Sequence, residues 1–203
     1  MRRTLTPPLW FLAVVAAFAD ERPAMLELPA KALDSPPSQR QLVDARAELQ
    51  RRFQGPLSRA NTAGGANQAA ELLLDAALVE PDRSLKWAML AEARRQAVAA
   101  GNALVVDQAI VLASANYEFD EIATELKALA EIPLRALDPP RATSLAAVAE
   151  RLATRAETDR RLDDAVTAQS LAIRGWQRAG NKQAAQRAAA RHDALEAARV
   201  AAR

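Results

Sequence analysis

Cysteine is missing from this sequence of 203 residues, and histidine occurs once, as His192. The lack of cysteine excludes a disulfide scaffold, a cysteine-ligated zinc site, a c-type haem attachment and a cysteine nucleophile. A lone histidine needs an oriented partner to act as a catalytic base, and the adjacent Asp193 points about 100° away on a helix. We therefore expect His192 to be a surface or edge residue.

Sequence motifs of nucleotide and metal chemistry are missing as well, because no GxxxxGK[ST], GxGxxG or HExxH occurs. The acidic residues between 118 and 121 lack the spacing and the turn glycine of a calcium loop, and Asp120 suits a helix cap. Asp163-Asp164 follows Arg160-Arg161, as at the start of a helix, where acids suit the helix dipole. The sequence predicts no catalytic residue, no metal site and no cofactor, so we expect that the protein is not an enzyme.

Aromatic residues make up only 4% of the chain, and its net charge of +2 is small. The basic pI near 9.4 depends on Arg2 and Arg3, because the chain from residue 20 onward has 25 basic and 25 acidic residues. Nucleic-acid binding relies on neutralising phosphates and often on stacking aromatics. We therefore predict no nucleic-acid partner.

Charge is nevertheless unevenly distributed along the chain. Residues 141–203 hold 12 bases and 7 acids, whereas residues 20–140 hold 13 bases and 18 acids. This polarity could steer an acidic partner to the C-terminal helices. A difference of this size is also typical of an ordinary solvated surface, which is the interpretation we favour.

The apolar run near the N-terminus is short, extending over the 11 residues from Leu9 to Ala19. It follows Arg2-Arg3 and ends in Ala17-Phe18-Ala19, the pattern of a signal peptide cleaved before Asp20. A membrane-spanning helix needs about 20 apolar residues, so an uncleaved anchor fits less well. We predict a signal peptide over 1–19, export to the periplasm or the cell exterior, and no stable membrane insertion after cleavage.

Alanine, by contrast, is abundant, with 50 residues. Four prolines make 20–38 an extended linker, and the first helix begins at Ser35-Pro36 or at Ser38. Apolar residues at helical spacing predict about seven or eight helices in a domain over 39–203, with the loosest internal stretch at 55–66, around Gly64-Gly65. No segment alternates with the period of a strand, so we predict an all-α fold of antiparallel helical hairpins.

A short motif repeats within this domain, since Ala100-Gly101-Asn102 recurs as Ala179-Gly180-Asn181, 79 residues later. Around the second copy, the spacing of Ala172, Trp176, Gly180-Asn181 and Ala185 resembles the tetratricopeptide repeat (TPR). The resemblance implies helix pairs stacked as a TPR-like array. It carries over no ligand-binding residue.

A second resemblance covers residues 66–203. The segments Trp87-Ala88-Met89-Leu90-Ala91-Glu92-Ala93, Ala100-Gly101-Asn102 and Phe119-Asp120 resemble uncharacterised secreted helical domains of planctomycete-type bacteria. This resemblance implies a TPR-like helical fold and no catalytic residue.

The large aromatic residues are the main candidates for function, because in an alanine-rich array they are either core anchors or binding hot spots. Helical spacing favours a core position for Tyr117 and Trp176, while Phe119 lies in a turn, where it is exposed or holds the turn. We name Trp87, Phe119 and Trp176 as candidate partner-binding residues. The expected function is non-catalytic protein–protein interaction or scaffolding, and the alternatives are a structural homo-oligomer of the envelope or a protein held by an uncleaved N-terminal anchor.

Overall fold

A computed structural model describes residues 33–202, and this part of the chain is all-α, which confirms the predicted fold class. Its α-helices are α1 (Gln39–Arg52), α2 (Gln54–Ser58), α3 (Ala63–Val79), α4 (Arg83–Ala100), α5 (Ala103–Ser114), α6 (Glu121–Glu131), α7 (Pro139–Thr158), α8 (Leu162–Arg178) and α9 (Lys182–Ala201). A 3₁₀ turn at Leu134–Ala136 precedes α7. None of these helices is long and apolar enough to cross a membrane.

Side chains at the helix starts cap the first backbone N–H groups. Of the two starts that the sequence allowed for the first helix, the structure uses Ser38, which forms a capping box with Gln41. Asp120 accepts a hydrogen bond from the Ala123 N–H at 2.9 Å, as its predicted capping role requires. Five further helices are capped in this way, by Thr62, Asp82, Asn102, Asp138 and Asn181. Each such cap stabilises its helix by about 1 kcal/mol.

The repeated Ala-Gly-Asn motif forms the same tight turn twice. Gly101 and Gly180 adopt left-handed conformations with φ of 71° and 76°. The N–H of the next asparagine bonds to the carbonyl five residues back, at 2.9 Å for Asn102 and 3.0 Å for Asn181. These bonds end one helix and leave the asparagine to cap the next. The short links make α4 and α5, and α8 and α9, antiparallel pairs.

Two groups of buried side chains form the core, one mainly from α1, α3 and α4, and the other mainly from α5 to α9. The α7–α8 contact is built from small residues: Ala142, Ala146, Ala149 and Ala153 on α7, and Ala165, Ala168 and Ala172 on α8, are all fully buried. A Cβ atom on Gly175 would lie 2.9 Å from the Ala146 Cβ, so the two backbones lie very close together. Close helix packing of this kind fills a core without many aromatics.

Residues 55–66 are more ordered than the sequence predicts. The structure places α2 there and starts α3 at Ala63, so that Gly64 and Gly65 belong to a helix. The reason is the Thr62 cap, whose Oγ1 accepts a hydrogen bond from the Gly65 N–H at 3.1 Å.

Residues 33–38 are extended and hydrogen-bonded to the loop between α5 and α6. The Asp34 N–H donates to the Asn116 carbonyl at 3.1 Å, and the Glu118 N–H donates to the Asp34 carbonyl at 2.9 Å. The Asp34 carboxylate also pairs with Arg83 of α4. The predicted signal peptide, its cleavage residues Ala17 and Ala19, and the first part of the predicted linker lie outside the described residues.

Candidate functional site

Three aromatic side chains meet at the N-terminal half of α4. Trp87 lies on this helix, and the loop from α5 to α6 brings Tyr117 and Phe119 to its ring. The ring centroids are 4.9 Å apart for Trp87 and Tyr117 and 5.6 Å apart for Trp87 and Phe119. Both pairs are edge-to-face, an arrangement worth about 0.5–1.5 kcal/mol beyond the area it buries.

Tyr117 is the buried member of this cluster. Only 2% of the residue is exposed, and its hydroxyl donates to the Arg83 carbonyl at 2.6 Å. Burial, with a contribution from the nearby Asp34 carboxylate, raises the pKa of Tyr117 to about 12. The predicted core position of Tyr117 is therefore confirmed. Trp87 and Phe119 remain partly exposed.

Beside the aromatic cluster, a groove lies between α1 and α6, with α4 as its floor. The cavity between the helices measures about 470 Å³, and a neighbouring depression toward Phe119 measures about 410 Å³. Both are large enough to hold several side chains of a ligand. We call this feature the Trp87 groove; it is lined by Pro36, by Leu42, Arg46, Leu49 and Gln50 of α1, by Trp87, Ala88, Ala91, Glu92, Arg94, Arg95 and Val98 of α4, by Phe119, and by Thr124, Lys127, Ala128 and Glu131 of α6.

Trp87 and Arg94 line every part of the groove, including a smaller apolar pocket between Trp87 and Phe119. Seven residues separate them on α4, and Ala91 lies between them, so the three side chains share one face of the helix. The small side chain of Ala91 leaves the space between the indole and the guanidinium open. The groove therefore presents an aromatic surface at one end and a cation at the other.

Arg94 differs electrostatically from its neighbour Arg95. Arg95 donates twice to the Glu92 carboxylate, at 2.8 and 2.5 Å. Arg94 is partly buried, yet within residues 33–202 it has no carboxylate within 4.0 Å and no side-chain hydrogen bond. Burial lowers the pKa of its guanidinium, and the more distant Glu131 offsets only part of that effect. The groove thus contains a cation that is partly desolvated but has no close counter-ion in the described chain.

The three candidate binding residues do not form one site. Trp87 and Phe119 come together in the Trp87 groove, as described above. Trp176 lies on α8, where its indole N–H donates to Oε1 of Glu150 on α7 at 3.0 Å, and it is partly buried. It does not line the groove.

None of the charged residues that line the groove, among them Arg94, Lys127 and Glu131, was predicted from the sequence as a site residue. The spacing of Arg94 from Trp87 was a usable signal, because it places both on one helical face. No comparable signal identifies Lys127 and Glu131, since they reach the site only through the packing of α6 on α4.

The other residues considered for chemistry have structural partners. The Asp120 carboxylate accepts from Arg161 at 2.6 Å as well as capping α6, and these bonds lower its pKa. Asp164 accepts from Arg161 at 2.7 Å, and Arg199 lies 3.2 Å from Asp163. His192 is partly buried, with Nδ1 3.6 Å from the Asp193 carboxylate. Between residues 33 and 202, no group of three His, Cys, Asp or Glu side chains is arranged to hold a metal ion.

Comparison with known proteins assigns no family to this chain. No protein-family model, no curated protein and no solved structure matches it.

Proposed function

We propose that this protein is exported and acts without catalysis, binding another protein through the Trp87 groove. The observation that carries the proposal is the meeting of two partly exposed aromatics, Trp87 and Phe119, with Arg94 in one groove. Within residues 33–202, Arg94 has no carboxylate within 4.0 Å. Tryptophan and arginine are the residue types most enriched among interface hot spots. A concave site between helices is also the usual binding surface of stacked helical arrays.

The chemistry of the groove supports binding over catalysis. Glu92 is occupied by Arg95 and by the Gln96 side chain, which donates to it at 2.7 Å. The groove is lined mainly by alkyl and aromatic groups and by cations, which suit the recognition of a partner surface. A hydrolytic site needs a nucleophile hydrogen-bonded to a base, and the described lining residues show no such pair.

A photo-cross-linking experiment in cells of the producing organism tests the proposal. A benzophenone side chain replaces Ala91 on the floor of the groove, and the control carries it at Ala99, an exposed position of the same helix. We expect Ala91 to yield an adduct with one other protein and Ala99 to yield none. Filling the groove with Ala91→Trp should abolish binding of that protein, whereas Ala99→Trp should leave it unchanged.

Two results would contradict the proposal. Equal adducts from both positions would show that the groove has no special role. An adduct with the mass of two copies of the chain, together with a stable oligomer in light scattering, would favour the alternative of a structural homo-oligomer. Exposed apolar side chains that such an oligomer could bury are Leu78 and Val79 of α3 and Leu104 and Val111 of α5.

A further inference from the structure

We propose that the Trp87 groove binds an acidic segment of a partner protein, which places a carboxylate on Arg94 and an apolar side chain against Trp87 and Phe119. This inference rests on the proposed function and adds the chemistry of the partner. Its support comes from three properties of the groove: the isolation of Arg94, the sign of the local charge, and the distance between its two ends.

The first property is that Arg94 is an exception among the partly buried arginines of residues 33–202. Six arginines in residues 33–202 are partly buried. Five of them have a carboxylate within 4.0 Å, namely Arg141, Arg155, Arg161, Arg191 and Arg199. Arg94 alone lacks one. Partial burial of a guanidinium is costly without a counter-ion, and a charge-assisted hydrogen bond that Arg94 donates to a ligand carboxylate would offset that cost.

The second property is a local excess of positive charge. The groove is lined by four cations, Arg46, Arg94, Arg95 and Lys127, against the two anions Glu92 and Glu131. This excess stands out because residues 20–140, which include the whole groove, carry more acids than bases. An acidic segment would thus be attracted to the groove.

The third property is the spacing of the two anchor points. Seven residues of helix separate Trp87 from Arg94, so their positions on α4 lie about 10 Å apart along its axis. An extended peptide spans this distance in about three residues. A helical peptide running along α4 would span it in about seven. A matching segment therefore carries an aromatic or aliphatic residue and an Asp or Glu at one of these two separations.

Selection from a library of random short peptides displayed on phage tests this inference on the full chain. We expect the bound peptides to be enriched in Asp or Glu at one of the two separations from an apolar residue. A synthetic peptide with the selected sequence should bind the Arg94→Gln variant about tenfold more weakly, which corresponds to one lost charge-assisted bond. The matched control is Arg174→Gln, which removes an exposed arginine of α8 outside the groove.

A double-mutant comparison measures the interaction between Arg94 and the acidic residue of the peptide. Replacing the acidic residue of the peptide by Gln should weaken its binding to the unaltered protein but leave its binding to Arg94→Gln unchanged. Because Arg94 has no close partner in the described chain, we expect the variant to fold, and a thermal unfolding curve checks this.

The outcomes separate this inference from the function on which it rests. Peptides that bind without acidic enrichment, or whose acidic preference survives in Arg94→Gln, would overturn the inference while leaving peptide binding intact. The binding of each selected peptide is also compared between the Ala91→Trp and Ala99→Trp variants. If no peptide loses its binding to Ala91→Trp while keeping its binding to Ala99→Trp, the groove is not the binding site. Enrichment of basic peptides would overturn the inference as well.

Discussion

Glycine is scarce in this protein, with six residues, and two of them stand side by side in the first turn of α3. They have different environments. A Cβ atom on Gly65 would lie 1.9 Å from the Arg59 carbonyl oxygen, whereas one on Gly64 would meet no atom within 4 Å. Gly65 therefore permits the backbone of the preceding turn to approach the helix, and Gly64 has no such role.

This difference predicts opposite effects for two matched substitutions. Gly65→Ala should lower the free energy of unfolding by about 1–3 kcal/mol, because the backbone must shift to remove the clash. Gly64→Ala should raise it by up to about 1 kcal/mol, because alanine is the better helix former. Urea denaturation of both variants measures the two values, and equal effects would contradict the close approach at Gly65.

Arg160 occupies the turn between α7 and α8 with φ of 60° and an exposed side chain. The N–H of Arg161 bonds to the Ala156 carbonyl at 2.8 Å, as at the two Ala-Gly-Asn turns. Arginine thus stands where those turns use glycine, in a backbone region that is strained for residues with a Cβ atom.

We therefore expect Arg160→Gly to raise the free energy of unfolding by about 0.5–1 kcal/mol. The counterpart Gly180→Ala should lower it by a similar amount, since its Cβ would meet no neighbour and only the backbone strain changes. Thermal or urea unfolding of the pair provides the measurement. Destabilisation by Arg160→Gly would indicate that the arginine side chain has an unrecognised role.

At the scale of helices, α6 and α7 are joined through a cluster of charges of which only Glu125 is fully buried. Glu125 of α6 is 1% exposed and pairs with Arg155 of α7, which also donates to Glu121 at 2.6 Å. Asp107 of α5 adds negative charge nearby. Burial raises the pKa of Glu125 from its ordinary 4.5 to about 7, although Arg155 acts in the opposite direction.

The raised pKa predicts the direction of a pH effect. The unfolded chain releases the Glu125 proton near pH 4.5, whereas the folded chain keeps it to about pH 7. Stability from this group is therefore present below pH 4.5 and falls as the pH rises through this window, by at most roughly 3 kcal/mol. In Glu125→Gln this fall should be absent, so that its free energy of unfolding changes less with pH than that of the unaltered protein.

Urea denaturation at several pH values between 4 and 8 provides the comparison. The pH dependence of the free energy of unfolding is compared between the two proteins, because other acids titrate in the same range and contribute equally to both. A steeper loss of stability in Glu125→Gln would show that the carboxylate is charged throughout and that the ion pair with Arg155 dominates.

At the scale of the whole molecule, we predict that the protein is exported by a signal peptide over residues 1–19. These residues lie outside the part of the chain that the structure describes. If the signal peptide is cleaved after Ala19, the purified protein from a bacterial host should begin at Asp20. Ala19→Arg should block cleavage and leave residues 1–19 attached, while Ala13→Val, within the apolar run, should not. Intact-mass measurement distinguishes these products, and retention of 1–19 in the unaltered chain would favour the uncleaved anchor.

Local sequence features predicted most of the helices and several of their ends, but not α2 or the start of α3. Ser38, Asp120 and the two Ala-Gly-Asn turns act through bonds that span no more than five residues, so the interactions that define them lie within the motif itself. The spacing of apolar residues likewise determined the all-α class, because it has the period of a helix throughout. The prediction of a loose stretch around Gly64-Gly65 was wrong. The Thr62 cap and the close approach of the Arg59 backbone outweigh the low helix propensity of glycine there.

Only the tertiary structure decided where the candidate site lies. Trp87 and Phe119 are 32 residues apart in the sequence, and they meet because α1 and α6 pack on α4 and leave a groove between them. Alanine lines so many helix faces that these faces are nearly equivalent in the sequence, and their spacing alone cannot specify which helices become neighbours. Which helices become neighbours depends on how their small side chains, such as those along α7 and α8, pack together in three dimensions. The same packing places Trp176 outside the groove and leaves Arg94 without a close counter-ion in the described chain.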